Sequence, residues 1–180
     1  MQTVSKSQVW EDLQKRFRRV VDRIGTPLDK GILNIVVALN AAGMNTTASC
    51  EGHMDHGAAY PWIDISHVGA DGLAQTICQL LYEGKREDEE TKQLQHQHRM
   101  LLLQAEQELI GPLNAFYQRH PFNYDRHLSI WRFSNGTPRL QSHGAEYQQF
   151  RDPTERLAKL QEYQQEMHAF AEYLKGELFR

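Results

Sequence analysis

Apolar residues recur at three- and four-residue steps through Trp10, Leu13, Phe17, Val20 and Ile24, which predicts a first helix over Ser7 to Ile24. Its other face carries Lys15, Arg16, Arg18, Arg19 and Arg23, which reads either as a solvated basic face or as a surface for an anion or partner. Gly25 ends the pattern. Thr26, Pro27 and Asp29 then form a helix-start signal: a capping hydroxyl, a proline suited to the first position and a carboxylate three residues after the cap. Gly31 to Ala42 is apolar almost all round, through Ile32, Leu33, Ile35, Val36, Val37 and Leu39, so it predicts a buried helix that Gly43 stops.

The period then shortens. Asn45 to Cys50 and Tyr60 to His67 read as strands, the second with Ile63 and Ile65 on one face and Tyr60, Trp62 and Asp64 on the other. Asp71 to Tyr82 returns to helical spacing. The charged, Gln-rich stretch Glu83 to Arg99 reads as an exposed helix or a mobile linker. Met100 to Tyr117 is helical, with Gly111-Pro112 expected to kink or interrupt it. Leu128 to Phe133 and Arg139 to His143 predict a hairpin around Ser134-Asn135-Gly136-Thr137, with Pro138 suited to a sheet edge. Asp152-Pro153-Thr154-Glu155 starts a last helix whose stripe runs through Leu157, Leu160, Tyr163, Met167, Phe170 and Leu174.

This order of elements predicts one α+β domain over residues 1–180: a small, mostly antiparallel sheet packed on helices, with long C-terminal helices. A chain of 180 residues can bury a sizeable core. The long stripes of the helices Met100 to Tyr117 and Pro153 to Phe179 suggest more apolar surface than so small a sheet covers. A helical hairpin or a homodimer would bury the surplus.

Charge and cysteine usage narrow the classes. A net charge of -3 gives no general attraction to nucleic acid or to a membrane surface, so neither is an expected partner. No apolar run reaches the roughly 20 residues that span a bilayer, and Met1 to Trp10 lacks a signal-peptide core. Two cysteines, Cys50 and Cys78, are too few for a disulfide framework and read as reduced thiols, which fits a cytoplasmic setting.

The chemistry is concentrated between the two strands, in Thr46-Thr47-Ala48-Ser49-Cys50-Glu51-Gly52-His53-Met54-Asp55-His56. Cys50, His53 and His56 have a Cys-x-x-His-x-x-His spacing and are candidate zinc ligands, with a further ligand from His143, Asp64 or water. With no second paired-ligand motif, a closed structural zinc site is not expected. A second reading makes Cys50 a nucleophile activated by His53, with Glu51 or Asp64 orienting the base. A third makes the segment a small-ligand site, in which Gly52 turns backbone N–H groups toward an anion and Trp62 stacks on a ring. Ser49, Asp64, Arg132 and His143 are the further candidate ligand contacts. The plainest reading is a polar turn whose side chains cap one another. His96 and His98, two apart on a helix, point to different faces and read as solvated.

From Thr26-Pro27 to Ile65 the chain resembles the N-terminal part of the wybutosine-synthesising tRNA methyltransferase family, which has a Ser-Pro start, an apolar helix and a strand ending in Thr-x-Ser-Cys-Ser-Gly-Arg. Thr47, Ser49, Cys50 and Gly52 match that motif. Glu51 stands in place of the family's serine, and His53 in place of its arginine, which removes a contact to phosphate or carboxylate. The string Ser49 to His53 is also similar to one in bacterial and phage proteins of unassigned activity. The resemblance implies a pocket at the strand end and a nucleotide- or tRNA-modifying activity. The residues themselves favour a small-ligand or metal-ion site, with an assembly role for the long helices as the alternative.

Overall fold

The computed structural model describes residues 5–21, 25–121, 123–132 and 136–179. Helix α1 covers Lys6–Phe17, α2 Leu33–Ala41, α3 Ala70–Tyr82, α4 Glu89–Arg119 and α5 Pro153–Leu178. Strands β1 (Asn45–Cys50), β2 (Trp62–Ser66), β3 (Leu128–Arg132) and β4 (Pro138–Ser142) form one antiparallel sheet in the order β1-β2-β4-β3. A 3-10 segment, His143–Phe150, joins β4 to α5. The architecture is the expected α+β one. No helix among the described residues is long and apolar enough to cross a membrane.

Strand register sorts the sheet into two faces. Ile63, Ile65, Leu128 and Leu140 are fully buried on the side where α2, α4 and α5 pack. Trp62, Asp64, Arg139 and Gln141 share the other side. Helix α2 is buried nearly all round, as its apolar run predicts, and it packs against α1, α5 and β1. Trp10, Leu13 and Phe17 of α1 meet the same core.

Several boundaries differ from the sequence pattern for definable reasons. Helix α1 starts at Lys6, one residue before the expected Ser7, with Ser5 at its cap accepting the Gln8 N–H at 3.2 Å. It ends at Phe17, since Val21 pairs with Pro27 in an antiparallel bridge that helical backbone cannot make. Ile24, the expected last residue of the stripe, lies outside the described residues, as does Arg23. Thr26-Pro27-Asp29 is likewise not a helix start: Pro27 sits in the bridge, and α2 begins six residues later without a side-chain cap. The Asp29 carboxylate goes instead to the turn after β1.

Helix α4 is continuous through Pro112, where a kink or break was expected, and it takes up the charged stretch from Glu89 onward. Leu102, Ala105, Leu109, Leu113 and Phe116 form an uninterrupted buried stripe on it. Burial of such side chains at about 1.5–3 kcal/mol each outweighs the roughly 3 kcal/mol that an internal proline costs. Pro138 is not on an edge strand, because β4 lies between β2 and β3. It is the first residue of the strand, where a missing N–H is tolerated. Ser134 and Asn135 of the hairpin turn lie outside the described residues.

Asp152 caps α5 by accepting the Thr154 and Glu155 N–H groups at 2.9 and 3.0 Å. Leu160, Tyr163, Met167, Phe170 and Leu174 are all buried within the same chain, while Leu157 is exposed. The surplus apolar face that suggested a second copy is therefore absent from this helix.

Candidate functional site

Strand β1 delivers Cys50 to the end of the sheet, beside Trp62 of β2. The chain then turns at Gly52, whose φ of +86° is in the left-handed region. A Cβ at this position would stand 2.6 Å from Leu160 Cδ1 and 2.7 Å from the Tyr60 carbonyl carbon. Glycine is thus required both by conformation and by the close approach of α5. The His53 N–H donates to the Ala58 carbonyl at 2.9 Å and closes the small loop. Gln164 of α5 donates to the Glu51 carbonyl at 2.9 Å, and Gln148 to the Ala59 carbonyl at 2.7 Å.

A second tie runs to the segment before α2. The Glu51 carboxylate accepts the Gly31 N–H at 2.6 Å, and the Glu51 N–H donates to Asp29 Oδ2 at 3.1 Å. The same Asp29 oxygen lies 3.4 Å from His53 Nε2. Cys50 Sγ accepts the Gly52 N–H at 3.3 Å. Asp29, Cys50 and His53 consequently hold one carboxylate oxygen, one sulfur and one imidazole nitrogen within 4.8 Å of one another, all from half-buried residues. That donor set, at that spacing, suits a borderline-soft divalent cation.

Burial and the neighbouring carboxylates set the thiol's environment. Burial pushes the Cys50 thiol upward; the Gly52 N–H pulls it partly back, and the carboxylates of Asp29 and Glu51 raise it further. A cysteine nucleophile needs the opposite shift. A bound cation would supply the missing positive charge and hold the thiolate.

The expected trio of Cys50, His53 and His56 does not gather. His56 stands on the far side of His53, its ring stacked on the His53 ring with centroids 4.2 Å apart, and its Nδ1 lies 2.8 Å from Asp55 Oδ1. His53, Asp55 and His56 make a second, overlapping set that is mostly exposed. Asp29 takes the place that the sequence pattern assigned to His56. It is the one carboxylate between Gly25 and Met44, beside an almost wholly apolar helix, and that isolation was its only sequence signal apart from the helix-start pattern.

The other candidates divide. Asp64 shares the Cys50 face of the sheet but is taken up by Arg139, which donates to it from Nε at 2.6 Å and Nη2 at 2.8 Å. The same guanidinium lies 3.6 Å from the centre of the Trp62 ring, so that ring is already covered. Arg139 lacked any motif. Arg132 is on edge strand β3, on the opposite face, 2.5 Å from a Glu106 oxygen. His143 packs against the rings of Tyr124 and Trp131, with centroids 4.2 and 5.9 Å away. Neither joins Cys50. Ser49 and Asp29 line one cleft of about 340 Å³ together with Phe17, Leu28 and Val36. Glu51 lines a different depression of about 510 Å³ with Gln161, Gln164, Gln165 and His168.

Comparison with protein-family models, curated proteins and solved structures finds no match to this chain.

Proposed function

We propose that this protein binds a divalent transition-metal ion of the zinc class through the Asp29 carboxylate, the Cys50 thiolate and the His53 imidazole. The observation that carries the reading is the convergence of these three ligand atoms within 4.8 Å from two separate segments of the chain. Three protein ligands leave a coordination position for water or substrate, the arrangement of catalytic rather than structural zinc. An ion there polarises what it holds and acidifies a bound water.

The chain's own residues do the positioning. The Glu51 N–H holds Asp29, and the Glu51 carboxylate holds the Gly31 N–H, so this one residue ties the two ligand-bearing segments together. Gly52 allows the turn that brings His53 back beside Cys50. The neutral thiol loses its proton on metallation, so affinity falls as the solution is acidified.

Cobalt titration of the metal-free protein tests this. The expected result is stoichiometric binding with a near-ultraviolet thiolate-to-cobalt charge-transfer band, displaced by zinc and absent from Cys50→Ser. No band and no stoichiometric zinc uptake by the wild-type chain would remove the proposal.

A further inference from the structure

A second cleft lies away from the candidate metal centre, between α3 and α4 where they meet the end of β1. It has a volume of about 530 Å³, within the range of small-ligand pockets. Its apolar lining comes from Ala74, Ile77 and Leu81 of α3 and Leu102 of α4. Three of these are spaced on one face of α3, but Leu102 and Ile77 alone of the four are buried. Fully packed helices would have closed this gap.

The polar groups are unevenly engaged. At one end Asp71 accepts from Asn45 Nδ2 at 3.0 Å and from Ser66 Oγ at 3.4 Å, so its charge is held by the protein's own donors. At the α4 side, Arg99 donates only to the Gln95 carbonyl, one turn back, at 3.3 Å. No carboxylate among the described residues pairs with it. His98, next to it, also lines the cleft, and burial pulls its imidazole below the ordinary range, with Asp71 opposing that shift. A neutral ring there offers one donor and one acceptor.

We infer that the cleft between α3 and α4 binds a small organic anion with an apolar body, the body lying on Ala74, Ile77, Leu81 and Leu102 and the carboxylate or sulfonate pairing with Arg99. Charge complementarity selects this occupant. Among the described residues of the cleft, Arg99 is a cation without a carboxylate partner and borders the apolar surface, whereas the acid at the other end is already satisfied. A neutral apolar ligand would leave Arg99 unused, and a cation would meet it unfavourably. The inference is independent of the metal reading, since none of the metal ligands lines this cleft.

The test uses 1-anilinonaphthalene-8-sulfonate, an apolar-bodied anion whose fluorescence rises on burial, with the full chain. The expected result is saturable binding to one site, weakened about tenfold or more by Arg99→Glu and partly kept by Arg99→Lys. Cys78→Trp, which fills the mouth from an exposed position, should abolish it. The uncharged analogue N-phenyl-1-naphthylamine should bind about tenfold more weakly. Arg99 and Cys78 are exposed, so neither substitution threatens folding, and near-ultraviolet circular dichroism checks this. Absence of saturable binding would overturn the inference. So would equal binding by Arg99→Glu and Cys78→Trp, or equal binding of the charged and uncharged probes.

Discussion

Asp29 Oδ2 stands 3.4 Å from His53 Nε2, and the same oxygen accepts the Glu51 N–H at 3.1 Å. One carboxylate thereby joins the segment before α2 to the turn after β1, across more than twenty residues of chain. If the pair serves a metal, Asp29 matters and His56 does not. Zinc affinity, measured by competition with a chromophoric chelator, should fall about 10–100-fold or more in Asp29→Ala and His53→Ala. His56→Ala should bind like the wild type. Loss in His56→Ala with retention in Asp29→Ala would restore the Cys-x-x-His-x-x-His assignment.

Gly52→Ala combines a left-handed backbone with a methyl group driven against Leu160 and the Tyr60 carbonyl carbon. Conformational strain of about 1–2 kcal/mol and overpacking of about 1–3 kcal/mol give an expected loss of about 2–5 kcal/mol. Urea unfolding measures it, and an unchanged midpoint would show that α5 yields at Leu160.

Tyr117 ties α4 to the sheet and to α5. Its hydroxyl donates to Glu166 Oε1 at 3.0 Å and accepts the Leu128 N–H at 2.7 Å, while Glu166, almost wholly buried, also pairs with Arg126 at 3.1 Å. Tyr117→Phe removes the donor to a buried carboxylate and leaves a strand N–H short of a partner. The expected cost is about 1–3 kcal/mol. Thermal unfolding with little change in midpoint would mean that water replaces the hydroxyl.

Asp125 supplies the acid sensitivity. Burial alone would raise its carboxyl, but Lys159 at 3.0 Å and Arg151 at 2.7 Å more than offset this and hold it below the ordinary 3.8. A folded-state value below the unfolded one means stability that is present above about pH 4 and lost as the pH falls through the folded value. Melting temperature should therefore drop on acidification below pH 4, and Asp125→Asn should be less stable at pH 7 but flatter over that acid range. Parallel profiles for the two proteins would remove Asp125 from the account.

Binary pattern and local chemistry determined much by themselves. The all-round apolar run Ile32–Leu39 had to be buried, Ile63 and Ile65 had to share the core face, and Asp152-Pro153 had to open a helix, because each is a matter of period or capping within a few residues. The same holds for the site's location. Cys50, Glu51, Gly52 and His53 crowd a strand end, and only glycine tolerates the turn there.

Which side chains meet was decided in three dimensions. In the sequence Asp29 reads as the carboxylate that answers a helix cap at Thr26, yet the bridge between Val21 and Pro27 delays α2, and the carboxylate turns to Glu51 and His53 instead. Pro112 should break a helix, but a long packed stripe carries α4 through it. Asp64 and Trp62 were ligand candidates until β4 paired with β2 and brought Arg139 onto both. Local preferences of about 1–3 kcal/mol can be read from neighbouring residues. They yield wherever distant segments bury more apolar surface, or satisfy more charge, than the local arrangement offers, and those partners are separated by too much chain for any sequence period to reveal.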